Sequence, residues 1–376
     1  MTSPTEPLIR SALAGVDDPE IGRPLTELNM VETIDIDAEG RVAVRILLTV
    51  TGCPLRTKIG DDIRTAVTEV PGVAGIDIDF GVMTDEQRRD LRIQLRGPES
   101  EGLSALAQPD SPTRVYCVVS GKGGVGKSSV TVNLAVALAR RGLRVGLMDA
   151  DVHGHSVPAM LGITSAPTLV GAMMMPPTAF GVRVVSIGMF VDDNAPVVWR
   201  GPMLHRALQQ FVNDVYWGEL DILLIDMPPG TGDVAISLAQ LLPTSQLLVV
   251  TTPQRTAARI AERAGAVAAQ TGQRVAGIIE NMSWYDSPDG TRQTLFGAGG
   301  ATAVSRALSG LLDTYCPVIG RIPFDPTVCA AGDRGTPFVE TDPHCAPTRA
   351  IDEIAAAIAP IVRRPLSVTP VGPVPA

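Results

Sequence analysis

The sequence predicts an α/β fold in which a mostly parallel sheet is covered by helices on both faces, preceded by a small α+β domain. From residue 114 onward, short apolar runs alternate with segments of helical length, which is typical of parallel strands buried on both faces. The chain of 376 residues is long enough for two or three domains. The apolar runs are Val115–Val119, Val145–Met148, Val182–Ile187, Ile222–Ile225, Leu247–Val250, Val275–Ile279 and Val318–Ile319.

Residues 1–95 carry the mixed pattern of a small α+β domain. Leu8, Ile9 and Leu13 have helical spacing. Residues 42–48 are apolar apart from Arg45, which predicts a strand, and a helix is expected over Leu55–Val70. A half-buried strand is expected at Ile76–Phe80, because apolar and acidic residues alternate there.

Three further boundaries complete the expected domain organisation. Residues 96–113 are polar and interrupted by proline, which predicts an interdomain linker. The large domain is expected to span residues 114–363. Residues 364–376 contain four prolines and no periodic pattern, which predicts a disordered tail.

Composition excludes several classes of protein. Hydrophobic residues make up 45% and charged residues 19%, so the chain is not globally disordered. No uncharged apolar run reaches the roughly 18 residues of a membrane span, and the N-terminus lacks a secretory-signal pattern. Five irregularly spaced cysteines do not form a disulfide framework. A cytoplasmic protein is therefore expected.

The charge distribution argues against nucleic acid as a partner. The formal net charge is −9, and residues 1–95 hold 17 acidic and 10 basic residues. Neither part of the chain is basic enough to neutralise a phosphate backbone. Lysine is rare as well: only Lys58, Lys122 and Lys127 stand against 28 arginines. Two lysines within six positions have two interpretations: chance, or a site that needs a compact ammonium group rather than a guanidinium.

Those two lysines lie in a glycine-rich segment between an apolar strand and a helical pattern. The segment fits G-x-x-x-x-G-K-[ST], so the fold predicted is that of a P-loop NTPase. Its glycines let backbone N–H groups point at phosphate oxygens. Lys127 is expected to contact the β- and γ-phosphates, and the Ser128 hydroxyl to bind Mg²⁺. The expected nucleotide-binding set here is Gly121, Lys122, Gly123, Gly124, Val125, Gly126, Lys127, Ser128 and Ser129.

Carboxylates follow two other apolar runs. Asp226 ends one strand and is suited to support the metal ion, and Asp149 and Asp151 end another. Residues at the carboxyl ends of parallel strands face the ligand crevice. Each carboxylate alone is more typical of a helix cap, but together with the loop they are candidates for the nucleotide site.

The loop Ser120–Ser128 resembles the deviant Walker A motif of division-site, plasmid-partition and nitrogenase-reductase ATPases. Within that class, several segments resemble Mrp-type iron–sulfur cluster carriers over residues 114–362. The front domain resembles the small cluster-biosynthesis domain often fused to such carriers, through Asp18-Pro19-Glu20 and Thr51–Leu55. The segments of the large domain are Met148–Asp151, Val198–Met203, Asp226–Asp233, Thr251–Gln254, Glu280–Ser283 and Gly332–Pro337.

The resemblance implies a homodimeric ATPase that binds ATP and Mg²⁺ and assists iron–sulfur cluster assembly or transfer. Lys122 would reach the partner subunit's nucleotide, and Asp151 would position the attacking water. Asp226 would support Mg²⁺, and Asn281 would hydrogen-bond the adenine. The implied catalytic residues are therefore Lys122, Lys127 and Asp151, and the implied partners are apo iron–sulfur proteins or assembly factors.

One feature departs from the family pattern. Related carriers place a C-x-x-C pair shortly after the Asn-Met-Ser segment, whereas this chain has no C-x-x-C at any position. Cys53 precedes a helix start, where the helix dipole favours a thiolate. It is a candidate ligand for iron or a cluster, or else a small capping residue. Two alternatives stay open: a positioning ATPase of the septum-site or partition type, and a nucleotide-gated scaffold without a cluster.

Overall fold

The computed structural model describes residues 4–50, 55–96, 105–108, 110–152, 154–170, 173–190, 201–230, 233–254 and 267–359. Cys53, half of the expected linker and the whole of the expected tail lie outside these ranges. The boundaries at residues 95, 113 and 363 stay predictions. Among the described residues, no helix has the length and apolar character needed to cross a membrane.

The front module, as we name residues 4–96, packs helices against one face of a three-stranded sheet. Its order is β3-β4-β5, with β3 antiparallel and β5 parallel to β4. Alternate side chains Val42, Val44 and Ile46 of β4 are buried, because successive residues of a strand face opposite sides. The elements are α1 (Glu6–Leu13), β1 (Asp17–Asp18), β2 (Arg23–Pro24), β3 (Val31–Ile36), β4 (Arg41–Leu48), α2 (Arg56–Thr68), β5 (Gly75–Val82) and α3 (Asp85–Arg96).

The large sheet has eight strands in the order β10-β11-β7-β12-β6-β13-β14-β17, and every pairing is parallel except that of β10 at the edge. All seven predicted apolar runs are strands of this sheet, which confirms the predicted fold class. Their bounds are β6 (Arg114–Ser120), β7 (Val145–Asp149), β10 (Thr178–Ala179), β11 (Val182–Ser186), β12 (Ile222–Asp226), β13 (Gln246–Thr251), β14 (Arg274–Glu280) and β17 (Val318–Arg321).

Helices cover both faces of this sheet, and a separate apolar cluster lies on each face. The helix after the glycine-rich loop is buried along most of its length, since it packs directly on the central strands. One face holds α4 (Lys127–Arg140), α5 (Val157–Met160), α9 (Pro326–Asp333), α10 (Phe338–Thr341) and α11 (Ala346–Ile358). The other face holds α6 (Gly201–Asn213), α7 (Asp233–Leu241) and α8 (Gly300–Leu312).

Besides the antiparallel pair β1–β2 of the front module, two small antiparallel pairs lie beyond residue 114 and outside the large sheet. The strands β8 (Thr168–Val170) and β9 (Met173–Met175) pair between α5 and β10. The strands β15 (Tyr285–Asp286) and β16 (Arg292–Gln293) pair after β14. The strands of these two pairs are only two or three residues long.

The strand β9 joins the two parts of the molecule. Met173 and Met175 belong to the apolar cluster of the front module, together with Val170 and Tyr216, whereas Met174 belongs to the cluster of the large sheet. Because strand residues alternate in direction, one three-residue strand contributes to two cores.

Polar contacts reinforce this seam, the name used below for the contact of the front module with β8, β9 and β11. The Thr168 hydroxyl donates to Glu20 Oε1 over 3.1 Å. Arg183 Nη2 donates to the carbonyl of Ile21 over 3.5 Å. The front module is therefore packed against the large sheet at this seam.

Candidate functional site

The glycine-rich loop connects the carboxyl end of β6 to the start of α4. Gly124 and Gly126 have φ angles of 78° and 77°, a left-handed conformation that other residues adopt at a cost. A Cβ added to Gly126 would also collide with the amide of Asn281. The loop conformation thus requires glycine at these positions, as the sequence motif predicted.

Three side chains of α4 converge on Asp226, the last residue of β12. Lys127 Nζ and Ser128 Oγ each lie 2.6 Å from Asp226 Oδ2. Thr131 Oγ1 lies 2.7 Å from Asp226 Oδ1. Lys127 is only 6% exposed, so the ion pair is shielded from water. Lys127, Ser128 and Asp226 are residues that the sequence analysis had proposed for this site, whereas Thr131 is not.

The Lys127 ammonium and the Ser128 hydroxyl are therefore both bound to a carboxylate of the protein itself. A nucleotide phosphate would compete with Asp226 for Lys127, because both offer anionic oxygen to the same ammonium group. Ser128 Oγ and Asp226 Oδ2 offer the hard oxygen donors that Mg²⁺ prefers, and they lie side by side. The residues present therefore fit a magnesium ion.

A second pair of carboxylates lies on the neighbouring strand β7. Asp149 is paired in register with Asp226, and its Oδ2 accepts a hydrogen bond from Ser186 Oγ over 2.9 Å. Its Oδ1 accepts from the backbone N–H of Asp151. Burial, with a further contribution from the Asp226 charge, raises the pKa of Asp149 to about 7. A second negative charge beside Asp226 is therefore disfavoured in the isolated protein.

Asp151 is buried just beyond the end of β7, and its Oδ1 accepts a hydrogen bond from the Gly154 N–H over 3.1 Å. This bond fixes the direction of the carboxylate. Asp151 therefore lies, as predicted, at the same edge of the sheet as the glycine-rich loop.

Asn281 lies on the other side of the loop, one residue beyond β14. Its Nδ2 donates to the carbonyl of Val125 over 2.9 Å, and its Oδ1 accepts from the N–H of Met282. A cavity of about 490 Å³ begins here. The residues that line it near the loop are Gly126, Ser129, Asn281, Met282, Pro323 and Phe324.

Lys122 has a partner on a different strand end from that of Lys127. Its Nζ donates to Gln254 Oε1 over 3.0 Å, and this glutamine follows β13. The two lysines of the motif thus have different environments: Lys127 is buried against a carboxylate, and Lys122 is partly exposed at the rim of the loop.

Sequence reasoning did not identify Gln254 as the partner of Lys122 or Thr131 as a partner of Asp226. The signal for Thr131 was available, since it is a polar residue in a run of apolar residues on α4. The signal for Gln254 was only its place in a segment of family resemblance.

The described cysteines do not form a metal site. Cys117 lies within β6, where burial raises the pKa of its thiol to about 12. Cys316 is buried, and Cys329 and Cys345 lie in different parts of the large domain. Within the described part of the chain, no three histidine, cysteine or acidic side chains are grouped to hold a metal ion.

The hairpin β15–β16 follows the Asn281-Met282-Ser283 segment. Asp286 pairs with Arg292 across it, with 2.8 Å between Oδ1 and Nε. The Arg292 guanidinium stacks 4.4 Å from the Trp284 ring centre, and Trp284 Nε1 donates to Asp286. A charged and aromatic cluster thus closes this hairpin.

Family models match both parts of the chain. Residues 111–359 match the model described as NUBPL iron-transfer P-loop NTPase. Residues 7–78 match the model described as iron-sulfur cluster assembly protein.

Individual relatives cover nearly the whole chain. An iron-sulfur cluster carrier protein of Mycobacterium tuberculosis (strain H37Rv) is 56% identical over 347 residues, covering 92% of this chain and 91% of its own length. One of Bacillus subtilis is 42% identical, covering 84% and 87%. Among solved structures, a nucleotide-binding protein of Archaeoglobus fulgidus in complex with ADP is 31% identical with a TM-score of 0.51, covering 70% of this chain and 99% of its own.

Proposed function

We propose, from the premise that this chain belongs to the iron-transfer P-loop NTPase family, that it hydrolyses ATP with Mg²⁺ and assists the transfer of iron–sulfur clusters to apoproteins. The observation that carries the proposal is the convergence of Lys127 and Ser128 on Asp226 beneath a glycine-rich loop. These groups are the ones that bind a triphosphate and its metal ion in P-loop enzymes.

Nucleotide binding would redistribute these contacts. The Lys127 ammonium would transfer from Asp226 to the β- and γ-phosphates, and the loop N–H groups would hold the remaining oxygens. Ser128 and Asp226 would hold Mg²⁺, which neutralises phosphate charge that builds up during the reaction. The roles are thus divided between charge compensation by Lys127 and metal support by Ser128 and Asp226.

Hydrolysis also needs an oriented water molecule. Asp151 is fixed by Gly154 at the same edge of the sheet, and we assign it to positioning that water. Asn281 is assigned to the adenine, because its side-chain amide lies at the entrance of the 490 Å³ cavity. Gly121, Gly123, Gly124, Val125, Gly126 and Ser129 would supply the rest of the nucleotide cradle.

The homodimer belongs to this proposal through Lys122. Its ammonium lies at the rim of the loop and donates a hydrogen bond to the neutral amide of Gln254. Transfer of the ammonium from this amide to a phosphate breaks no ion pair among the described contacts. We propose that it acts on the nucleotide of a second subunit. The dimer would then close around two nucleotides, with hydrolysis reopening it.

The cargo proposal rests on family membership and on the match of both parts of the chain. The relatives at 56% and 42% identity carry the name iron-sulfur cluster carrier protein. In the absence of a C-x-x-C pair, Cys53 is the proposed ligand of iron or of the cluster during transfer, with apo iron–sulfur proteins or assembly factors as partners.

The phosphate site is tested by equilibrium binding of ATP and by phosphate release. Lys127→Ala is expected to abolish both, because no other group replaces the ammonium at the phosphates. Lys58→Ala is the matched control, since Lys58 is exposed and pairs with Asp62 on α2. Normal turnover by Lys127→Ala would refute the phosphate site.

The dimer is tested by mixing two inactive variants, Lys122→Ala and Asp151→Ala. If Lys122 acts across the interface, about one quarter of wild-type activity returns, because half of the dimers are mixed and each has one complete site. Absence of recovery in a mixture proven to contain mixed dimers would show that Lys122 acts within its own subunit.

The cargo is tested by anaerobic reconstitution with iron and sulfide, followed by chemical analysis of both. The wild type is expected to retain iron and sulfide, and Cys53→Ser to retain less. Cys345→Ser is the control, because this free thiol belongs to the large domain and not to the front module. A wild type that retains neither element would refute the cargo proposal, favour the nucleotide-gated scaffold and leave the ATPase assignment intact.

A further inference from the structure

Asp226 is held by donors of two kinds. Lys127 and Ser128 bind its Oδ2 from the side of the glycine-rich loop. Thr131 binds its Oδ1 from the next turn of α4. The two carboxylate oxygens therefore face different surroundings.

Thr131 is completely buried, and its hydroxyl has two acceptors within reach. Oγ1 lies 2.7 Å from Asp226 Oδ1 and 2.9 Å from the carbonyl of Lys127. A hydroxyl donates one proton, and the carboxylate is the stronger acceptor because it carries charge. The shorter contact also goes to Asp226, so the proton belongs on that side.

The donors of Oδ2 are those that nucleotide and metal would withdraw. Lys127 would turn to the phosphates, and Ser128 would turn to the metal ion. Thr131 lies four residues beyond Lys127 on the helix and has no exposure to the loop cavity. Its bond to Oδ1 is therefore the one that can persist when the other two are exchanged.

We propose that Thr131 is a positioning residue for the magnesium site, which holds Asp226 by Oδ1 so that Oδ2 stays directed at Ser128 and the metal ion. This inference rests on the proposed Mg²⁺–ATP site. Loss of the hydroxyl leaves the carboxylate free to rotate when Lys127 departs, and an outer partner of a metal-supporting carboxylate typically contributes about 10–100-fold to metal affinity.

The test is a magnesium titration of nucleotide binding, with a fluorescent ATP analogue in the full-length protein. Thr131→Val removes the hydroxyl and keeps the shape of the side chain. We expect the Mg²⁺ concentration at half-saturation to rise roughly 10–100-fold, whereas analogue affinity without Mg²⁺ changes by less than about 3-fold. Thr131→Ser keeps the hydroxyl and is expected to restore the wild-type midpoint.

A matched control separates this effect from the loss of any buried hydroxyl. Thr348 is also fully buried, and its Oγ1 donates to the carbonyl of Asp342 over 2.7 Å, in the segment that leads into α11. Thr348→Val is expected to lower the melting temperature without changing the Mg²⁺ midpoint. If Thr131→Val does not fold, Thr131→Cys supplies a weaker donor and is expected to give an intermediate midpoint.

Each outcome decides the proposal. An unchanged Mg²⁺ midpoint in Thr131→Val, or in Thr131→Cys where that variant replaces it, overturns it. Equal loss of analogue binding with and without Mg²⁺ overturns it as well, because the role would then be structural. A wild type whose nucleotide binding does not respond to Mg²⁺ would instead refute the proposed magnesium site itself.

Discussion

Carboxylates are buried at the edge of the large sheet that carries the glycine-rich loop, which we call the nucleotide edge, and also near the seam with the front module. The two regions differ in the kind of group that donates hydrogen bonds to these carboxylates. Asp226 receives its hydrogen bonds from the side chains of Lys127, Ser128 and Thr131. Asp18, in the turn whose Glu20 contacts Thr168 at the seam, receives hydrogen bonds from the backbone N–H groups of Glu20 and Ile21, and burial raises its pKa.

Because of this difference, a ligand can exchange the hydrogen bonds at the nucleotide edge but not those near the seam. Side-chain donors such as Lys127 and Ser128 rotate, so a ligand can take them over without moving the backbone. Backbone donors move only if the turn that carries them moves. We therefore expect substitutions at the nucleotide edge to change ligand binding, and substitutions at the seam to change stability alone.

The strongest test of the comparison is Asp226→Ala. It leaves the ammonium of Lys127 buried beside a cavity, so we expect the unliganded protein to lose about 3–5 kcal/mol of unfolding free energy, together with its ATPase activity. Asp221→Ala, just before the other end of β12, removes a carboxylate that pairs with Arg144 on the surface. This control is expected to keep normal nucleotide binding; full stability of Asp226→Ala would contradict the buried ion pair.

A second test uses two neighbours on one strand. Met173→Ala is expected to destabilise the front module, and Met174→Ala the large domain, each by about 2–5 kcal/mol, because they fill different cores. Hydrogen exchange separates the two effects: α2 should lose protection in the first variant and α6 in the second. The same exchange pattern in both variants would show that β9 does not divide its side chains between two cores.

The smallest expected effect concerns pH. The raised pKa of Asp18 means that its contribution to stability is complete below its ordinary value of 3.8 and is lost as pH rises through the higher value of the folded state. The charge of Asp18 also raises the pKa of Glu20, after the larger effect of burial.

Asp18→Asn should therefore reduce the fall in unfolding free energy between pH 4 and pH 8 relative to wild type, measured by urea denaturation at each pH. Asp17→Asn, at the exposed neighbouring position of β1, is the control and should behave as the wild type does. A pH profile of Asp18→Asn that overlays the wild-type profile would show that the seam carboxylate does not titrate in this range.

The central strands of the large sheet could be predicted from the sequence, whereas several short or peripheral strands could not. The seven predicted strands were recognisable because parallel strands buried on both faces must be apolar throughout. The strand Val31–Ile36 was missed, since its three polar residues hide a one-sided apolar pattern. The pairs β8–β9 and β15–β16 were missed because two or three residues carry no period.

The site shows the same division. Lys127, Ser128 and Asp226 were predicted because the chemistry of phosphate and magnesium dictates their types and their places at strand ends. The contact of Thr131 with Asp226 depends on the rotation of α4 against β12, a tertiary quantity that no local pattern encodes. The contacts of the seam could not be predicted from local patterns either, because Glu20 and Thr168 are 148 positions apart in the sequence.

Because of strand β9, the boundary between the two parts of the molecule in the sequence is not their boundary in the structure. A truncated chain that begins after residue 110 would present Met173 and Met175 to water, and the front module alone would lack their methyl groups from its interior. Recombination that exchanges front modules between relatives would thus have to carry a piece of the ATPase half with it, so the two parts are expected to be inherited as one unit.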